Sequence, residues 1–217
     1  MNSVVCPQLS IVQLLCSPNM KTFEVESVSN TYEYLWSACE KSLQDAGNTS
    51  GSPWYYYFTA MTMAYFCYEA FLNHLLLHIA PDIWNEEREY FSKSPYKGTE
   101  GKLRKVCDIA RLPFPDKGSR QYQQIKLLQE LRDFVAHGKT EKHNSVIQAT
   151  SGCDTLIVQS TLEKLVTKDN ACHAIPALKE FIITLNGQVQ ERTFCDHLAL
   201  QPLQGISYHV TSSEIPS

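Results

Sequence analysis

The chain has 217 residues, 43% of them hydrophobic and 19% charged, which suits one large domain, or one with a small appendage, that buries a core. Its net charge of −4 excludes a global basic field that would draw it onto nucleic acid, so any such contact has to be local. Eight cysteines are scattered without a CxxC pair, which argues against a zinc or redox motif and for reduced, buried thiols in a cytoplasm.

Met1 to Cys16 carries no basic n-region before its apolar stretch and does not read as a secretory signal. Without export, the sequon Asn48-Thr49-Ser50 has no meaning. Residues 1–26 show no period and read as an irregular or partly extended lead-in. From Val28 the apolar positions Val28, Tyr32, Leu35, Cys39 and Leu43 recur at helical spacing, with Gly47 as a stop. The turn-forming stretch from Asn48 to Pro53 leads into a second helix over Trp54–Ile79. That helix is apolar nearly all round, the pattern of a central buried element. A membrane span over Phe58–Ala80 is disfavoured by Glu69 near its middle and by Asn73, His74 and His78 after it. Thr59, Thr62, Glu69 and Asn73 share one face, and a polar stripe on a buried helix has to meet partners.

Pro81 ends this helix, and residues 82–98 read as a connection. Thr99 is placed to cap a short helix carrying Leu103, Val106, Cys107 and Ala110, closed by Pro113 and Pro115. The next long helix runs from Ser119 to His137, with Ile125, Leu128, Leu131 and Val135 inward and Gly138 as its C′ residue. Two β-branched runs, Ser145–Thr150 and Thr155–Ser160, flank Ser151-Gly152 and suggest a hairpin. A last helix is expected over Cys172–Asn186, with Leu178, Phe181, Ile182 and Leu185 inward and Gly187 at its end. Residues 188–217 form an extension of mixed character. No internal repeat or low-complexity segment interrupts this order.

The segment Arg132-Asp133-Phe134-Val135-Ala136-His137 carries the chemistry. At about 100° per residue, Phe134, Leu127, Leu131, Val135, Leu128 and Ile125 fill an arc of about 180°. Arg132 falls inside the edge of that arc and Asp133 points away from it. A charge within a packing face needs a partner, and Glu69 is the candidate. His137 follows where Gly138 stops the helix, so Arg132 and His137 converge only if the chain turns there or two copies meet. Unpaired carbonyls at a helix C-terminus favour a protonated imidazole. Arg and His in a last turn before Gly also serve as ordinary dipole and capping chemistry, so the spacing alone leaves both readings open. Cys172-His173 and Cys195-Asp196-His197 hold ligand-type residues, but neighbours in sequence chelate poorly, and no metal is expected.

The Arg132-to-His137 run, with Leu131 before it and Gly138 after, resembles the signature of HEPN domains, in which His follows Arg by four to six residues. Tyr68-Glu69-Ala70-Phe71-Leu72-Asn73 on the preceding long helix is similar to bacterial members. The resemblance covers about residues 28–187; the apparent hairpin and the C-terminal segment depart from a minimal HEPN bundle. The long helices with their short extras, a short helix and a hairpin, read as a mainly α bundle, and the resemblance implies that it is a four-helix up-and-down bundle over residues 27–187. It also implies a homodimer whose protomers turn Arg and His into one cleft. Many members are metal-independent endoribonucleases needing no cofactor; others are non-catalytic dimerisation modules that bind RNA or a partner. By that resemblance Arg132 and His137 are the catalytic pair, Asp133 orients them, and Glu69 and Asn73 support them. Single-stranded RNA is the implied substrate, and toxin–antitoxin or phage-defence roles, with an antitoxin or other regulator as partner, are common in the family.

Overall fold

The computed structural model describes residues 23–138, 140–142, 159–196, 198, 201–204 and 208–214. It divides into two compact units, Met1–Ser29 with Tyr208–Ser217, and Asn30–Ser207. In the first, strand β1 (Phe23–Ser29) pairs antiparallel with β2 (Tyr208–Glu214), from Phe23 opposite Glu214 to Ser29 opposite Tyr208. Val28 therefore belongs to a strand rather than to the first helix. Part of the expected lead-in and part of the C-terminal extension form one two-stranded ribbon.

The second unit is helical. Helix α1 (Thr31–Asn48) begins after Asn30 and runs through Gly47 to its end one residue later. Helix α2 spans Trp54–Ile79, the bounds its flanking prolines predict. It is the central element, in contact with α1 and with four later helices. Ala60, Phe71, Leu72, Leu75 and Leu76 are fully buried along it. Tyr32 of α1 meets Phe71 edge-on at 5.7 Å between ring centroids. Among the described residues, no helix is long and apolar enough to cross a membrane.

The stretch after Pro81 is not a plain connection. It holds two short helices, α3 (Pro81–Asn85) and α4 (Glu87–Tyr90), the first opened by a proline at its tolerated N-terminal position. Helix α5 (Gly98–Ala110) buries Leu103, Val106, Cys107 and Ala110 as expected. Thr99 lies inside α5 and does not cap it; Lys97 precedes the helix. Gly101 is required here. A Cβ at that position would lie 1.8 Å from the backbone oxygen of Tyr96, so only glycine lets the turn and α5 approach so closely.

Helix α6 (Arg120–His137) ends at the expected Gly138 and starts one residue after Ser119, which caps it rather than opening it. The Ser119 hydroxyl accepts from the Tyr122 N–H at 3.2 Å, and Gly138, at φ 51°, donates its N–H to the Phe134 carbonyl. Ile125, Leu128 and Leu131 are buried, but Val135 is 38% exposed. The core along α6 ends at Leu131, and the final turn carries Val135 out to the surface. After α7 (Thr161–Leu165), helix α8 (Lys168–Thr193) is longer at both ends than its periodicity suggested. Leu178, Phe181, Ile182 and Leu185 are buried as expected, but Gly187 lies within the helix, which runs on to Thr193. The expected hairpin between Ser145 and Ser160 falls almost wholly outside the described residues. The fold is mainly α, with α1, α2, α6 and α8 as its long helices and α5 as a shorter fifth.

Candidate functional site

Two faces of two helices build the site. Glu69 and Asn73 lie one turn apart on α2, and Thr99 and Lys102 lie one turn apart on α5. The Thr99 hydroxyl donates to Glu69 Oε1 at 2.7 Å, and Lys102 Nζ donates to Asn73 Oδ1 at 2.7 Å. These two rungs tie α5 to α2 at two points one turn apart on each helix. Lys102 also pairs with Glu87 of α4. Its side chain is only 14% exposed, which makes these partners necessary for an ammonium.

Arg132 closes the other end. Its Nη2 lies 3.3 Å from Glu69 Oε1, the oxygen that Thr99 also binds, and its Nη1 lies 3.0 Å from Asp133 Oδ1. The guanidinium is thus clamped between a carboxylate from α2 and one from its own helix. Burial pulls the Arg132 pKa down, but the Glu69 and Asp133 carboxylates outweigh it and raise the value above the ordinary one. Arg132 stays charged at any working pH. The side chain keeps 34% exposure, so the clamp is open on one side.

Arg132, Glu69, Asp133, Lys102, Thr99 and Glu87 line one cleft of about 330 Å³, with Arg88, Gln129 and Tyr65. Tyr65 is buried, which pushes its phenol well above the ordinary value, so it is protonated and poorly suited to act as a base. His137 lines a different concavity, a groove of about 970 Å³ along α6 that also contains Leu127, Glu130, Phe134 and Glu141. Gln129 and Asp133 line both hollows. Within one chain, then, the five residues singled out from sequence divide. Glu69, Asp133 and Arg132 meet, Asn73 holds Lys102 beside them, and His137 stands exposed at the helix end.

The pairing of Glu69 with Arg132 agrees with the reasoning from a charge inside an apolar arc. Asp133 does not act alone on the outer face; Arg132 is long enough to reach its neighbour's carboxylate. The polar stripe on α2 is only half a site. Thr59 and Thr62 return their hydroxyls to the carbonyls of Tyr55 and Phe58 in the preceding turn, as threonines in helices do. Sequence reasoning missed Thr99, Lys102 and Glu87. The steps of three between Thr99 and Lys102 and of four between Glu69 and Asn73 were a usable signal, but only once α5 is known to run beside α2.

The described residues contain no group of three His, Cys, Asp or Glu side chains placed to hold a metal ion. Cys39, Cys67 and Cys107 are free and buried, and burial pushes the Cys39 thiol up to about 12 and that of Cys107 to about 11. The chain matches no family model, no curated protein sequence and no solved structure.

Proposed function

We propose that the protein is a metal-independent endoribonuclease acting on single-stranded RNA at a site completed by a second copy of the chain, with Arg132 and His137 as its reacting residues. The observation that carries this reading is the clamp on Arg132. Glu69 and Asp133 hold the guanidinium at the mouth of a cleft while leaving part of its five-donor fork open to an anion. His137 stands exposed at the C-terminal end of the same helix.

Cleavage of RNA without metal needs three things. A base removes the 2′-OH proton, the 2′-oxygen forms a bond to phosphorus, and the bond to the 5′-oxygen breaks as that oxygen takes up a proton. The products are a 2′,3′-cyclic phosphate and a 5′-hydroxyl. An imidazole can both accept and donate a proton, so His137 suits both transfers, a contribution of about 10²–10⁴-fold. Arg132 stabilises the added charge on the phosphoryl oxygens. Because His137 and Arg132 of one chain line different hollows, the reading requires His137 of one copy beside Arg132 of another. Phe134 and Val135, apolar and outside the core of the single chain, give that contact a surface. A toxin–antitoxin or phage-defence setting, with a protein regulator as further partner, accompanies the family resemblance.

A second reading is a non-catalytic dimer that binds RNA or a protein. It is favoured by charge balance: Arg132 and Lys102 are each already neutralised, and the cleft carries Glu69, Glu87 and Asp133 against Arg88, Lys102 and Arg132. The test is incubation with labelled single-stranded RNA in EDTA, alongside His137→Ala and Arg132→Lys. Cleavage that survives EDTA and is lost in both variants supports the enzyme. Cleavage that needs metal, or that persists in His137→Ala, overturns it, and binding without cleavage leaves the second reading.

A further inference from the structure

We infer that Lys102 is a second phosphate-binding cation of the cleft, seating the backbone phosphate next to the one at Arg132. This rests on the reading of the cleft as an RNA site. It goes beyond it by assigning a residue outside the Arg132–His137 segment, on a different helix.

The geometry is that of two cations mounted on one scaffold. Glu69 fixes Arg132 and Asn73 fixes Lys102, and the two holders are one turn apart on α2, about 6 Å at 1.5 Å per residue. Lys102 and Arg132 line the same cleft, so an extended strand crossing it passes both. The burial of Lys102 needs explaining. An ammonium 14% exposed could be replaced by an apolar side chain with little loss of packing, and α5 buries its other inward positions with Leu103, Val106 and Ala110. Three groups are instead arranged around it: Asn73 from α2, Glu87 from α4 and the Phe91 ring at 5.8 Å. Asn73 accepts without adding charge, and Glu87 keeps 32% exposure, so the balancing acid is the more movable partner. A phosphate entering the cleft takes the place of Glu87, while Asn73 keeps the ammonium in position. Asn73 is then a positioning residue for Lys102 rather than for Arg132.

The experiment measures binding of a short fluorescein-labelled oligouridylate by anisotropy across a salt series, in a His137→Ala background so that the strand is not cut. Lys102→Met weakens binding and reduces the slope of log affinity against log salt by about 0.7, the value for one phosphate contact to a single strand. Lys102→Arg restores most of the slope. Glu87→Gln acts in the opposite direction and tightens binding several-fold, because the ammonium is no longer neutralised in the free protein. That sign separates the inference from a structural role, and Glu87 lies half-exposed in a four-residue helix, so its variant keeps the fold. An unchanged slope in folded Lys102→Met overturns the inference, as does Glu87→Gln that binds no more tightly. If the His137→Ala parent fails to bind the oligouridylate at all, the RNA reading falls and this inference falls with it. If the parent binds and only the Lys102 and Glu87 effects are missing, the RNA reading stands alone.

Discussion

Glu69 and Arg132, 63 residues apart in the chain, meet at 3.3 Å, and Thr99 donates to the same carboxylate oxygen from a third helix. Loss of a fully buried charge partner costs roughly 3–5 kcal/mol, but here the side chains keep 21% and 34% exposure and water screens what remains. Glu69→Ala is expected to cost about 1–2 kcal/mol, a fall in Tm of about 2–8 °C for a chain of this size. An unchanged Tm would mean that the clamp holds nothing.

His137→Ala separates chemistry from stability. The side chain is exposed and lies beyond Leu131, the last buried residue of α6, so the stability should stay within about 0.5 kcal/mol of the parent's. RNA cleavage in EDTA should nevertheless disappear. Arg132→Lys keeps the charge and loses the fork, and a large fall in kcat with the fold intact is its expected signature.

Among the described glycines, Gly101 should be the one at which alanine does most damage. The added Cβ collides with the Tyr96 backbone, and relief requires α5 to shift, at a cost of about 3 kcal/mol or more. Because α5 carries Thr99 and Lys102, activity should fall with stability. Gly187→Ala is the matching control. Nothing lies within 4 Å of a Cβ there, the residue is inside α8, and the change should stabilise by about 0.5–1 kcal/mol. Thermal melts of the two variants should move in opposite directions.

Acid should destabilise the helical unit through His74. Its Nε2 is buried without a hydrogen-bond partner among the described residues, with the Tyr32 and His78 rings beside it. Burial first, and the neighbouring His78 second, lower its pKa to about 4. The unfolded chain takes up this proton near pH 6.5, so the contribution of neutral His74 is complete above that pH. It is lost as the pH falls from about 6.5 to about 4, to a total of roughly 3 kcal/mol. His74→Leu should flatten this part of the stability–pH curve, and an unflattened curve would assign the acid sensitivity elsewhere.

Light scattering at micromolar concentration should give a dimer. Phe134→Asp or Val135→Asp should shift it toward monomer without lowering the Tm of the monomeric unit, since neither residue belongs to the core. A wild-type chain that is only monomeric removes the composite site.

What was legible in the sequence was local. Pro53 and Pro81 delimit α2, Gly138 ends α6, and each acts through its own backbone neighbours. Glu69 and Arg132 were legible because each is a charge where apolar residues belong. Gly47 marked the end of α1 to within one residue, but Gly187 misled, since a helical glycine costs only about 1 kcal/mol and packing of the flanking turns overrides it. Val28 misled because its strand partner, His209, lies at the other end of the chain. Lys102 and Glu87 were hidden because their meeting depends on how the two short helices after Pro81 return the chain to α2.

That return has a consequence for how the fold finds a single answer. Apolar contacts along α2 carry no donor–acceptor requirement that singles out one offset for a neighbouring helix, whereas hydrogen-bonded pairs do. The Glu69–Thr99 and Asn73–Lys102 rungs do not tolerate such sliding. Moved by one turn along α2, α5 would set Lys102 against Glu69 or Thr99 against Asn73, and in either case one rung would lose its partner. The two polar rungs therefore act as a vernier that locks the helix pair at one setting, and the same lock fixes the spacing between the two cations that face the cleft.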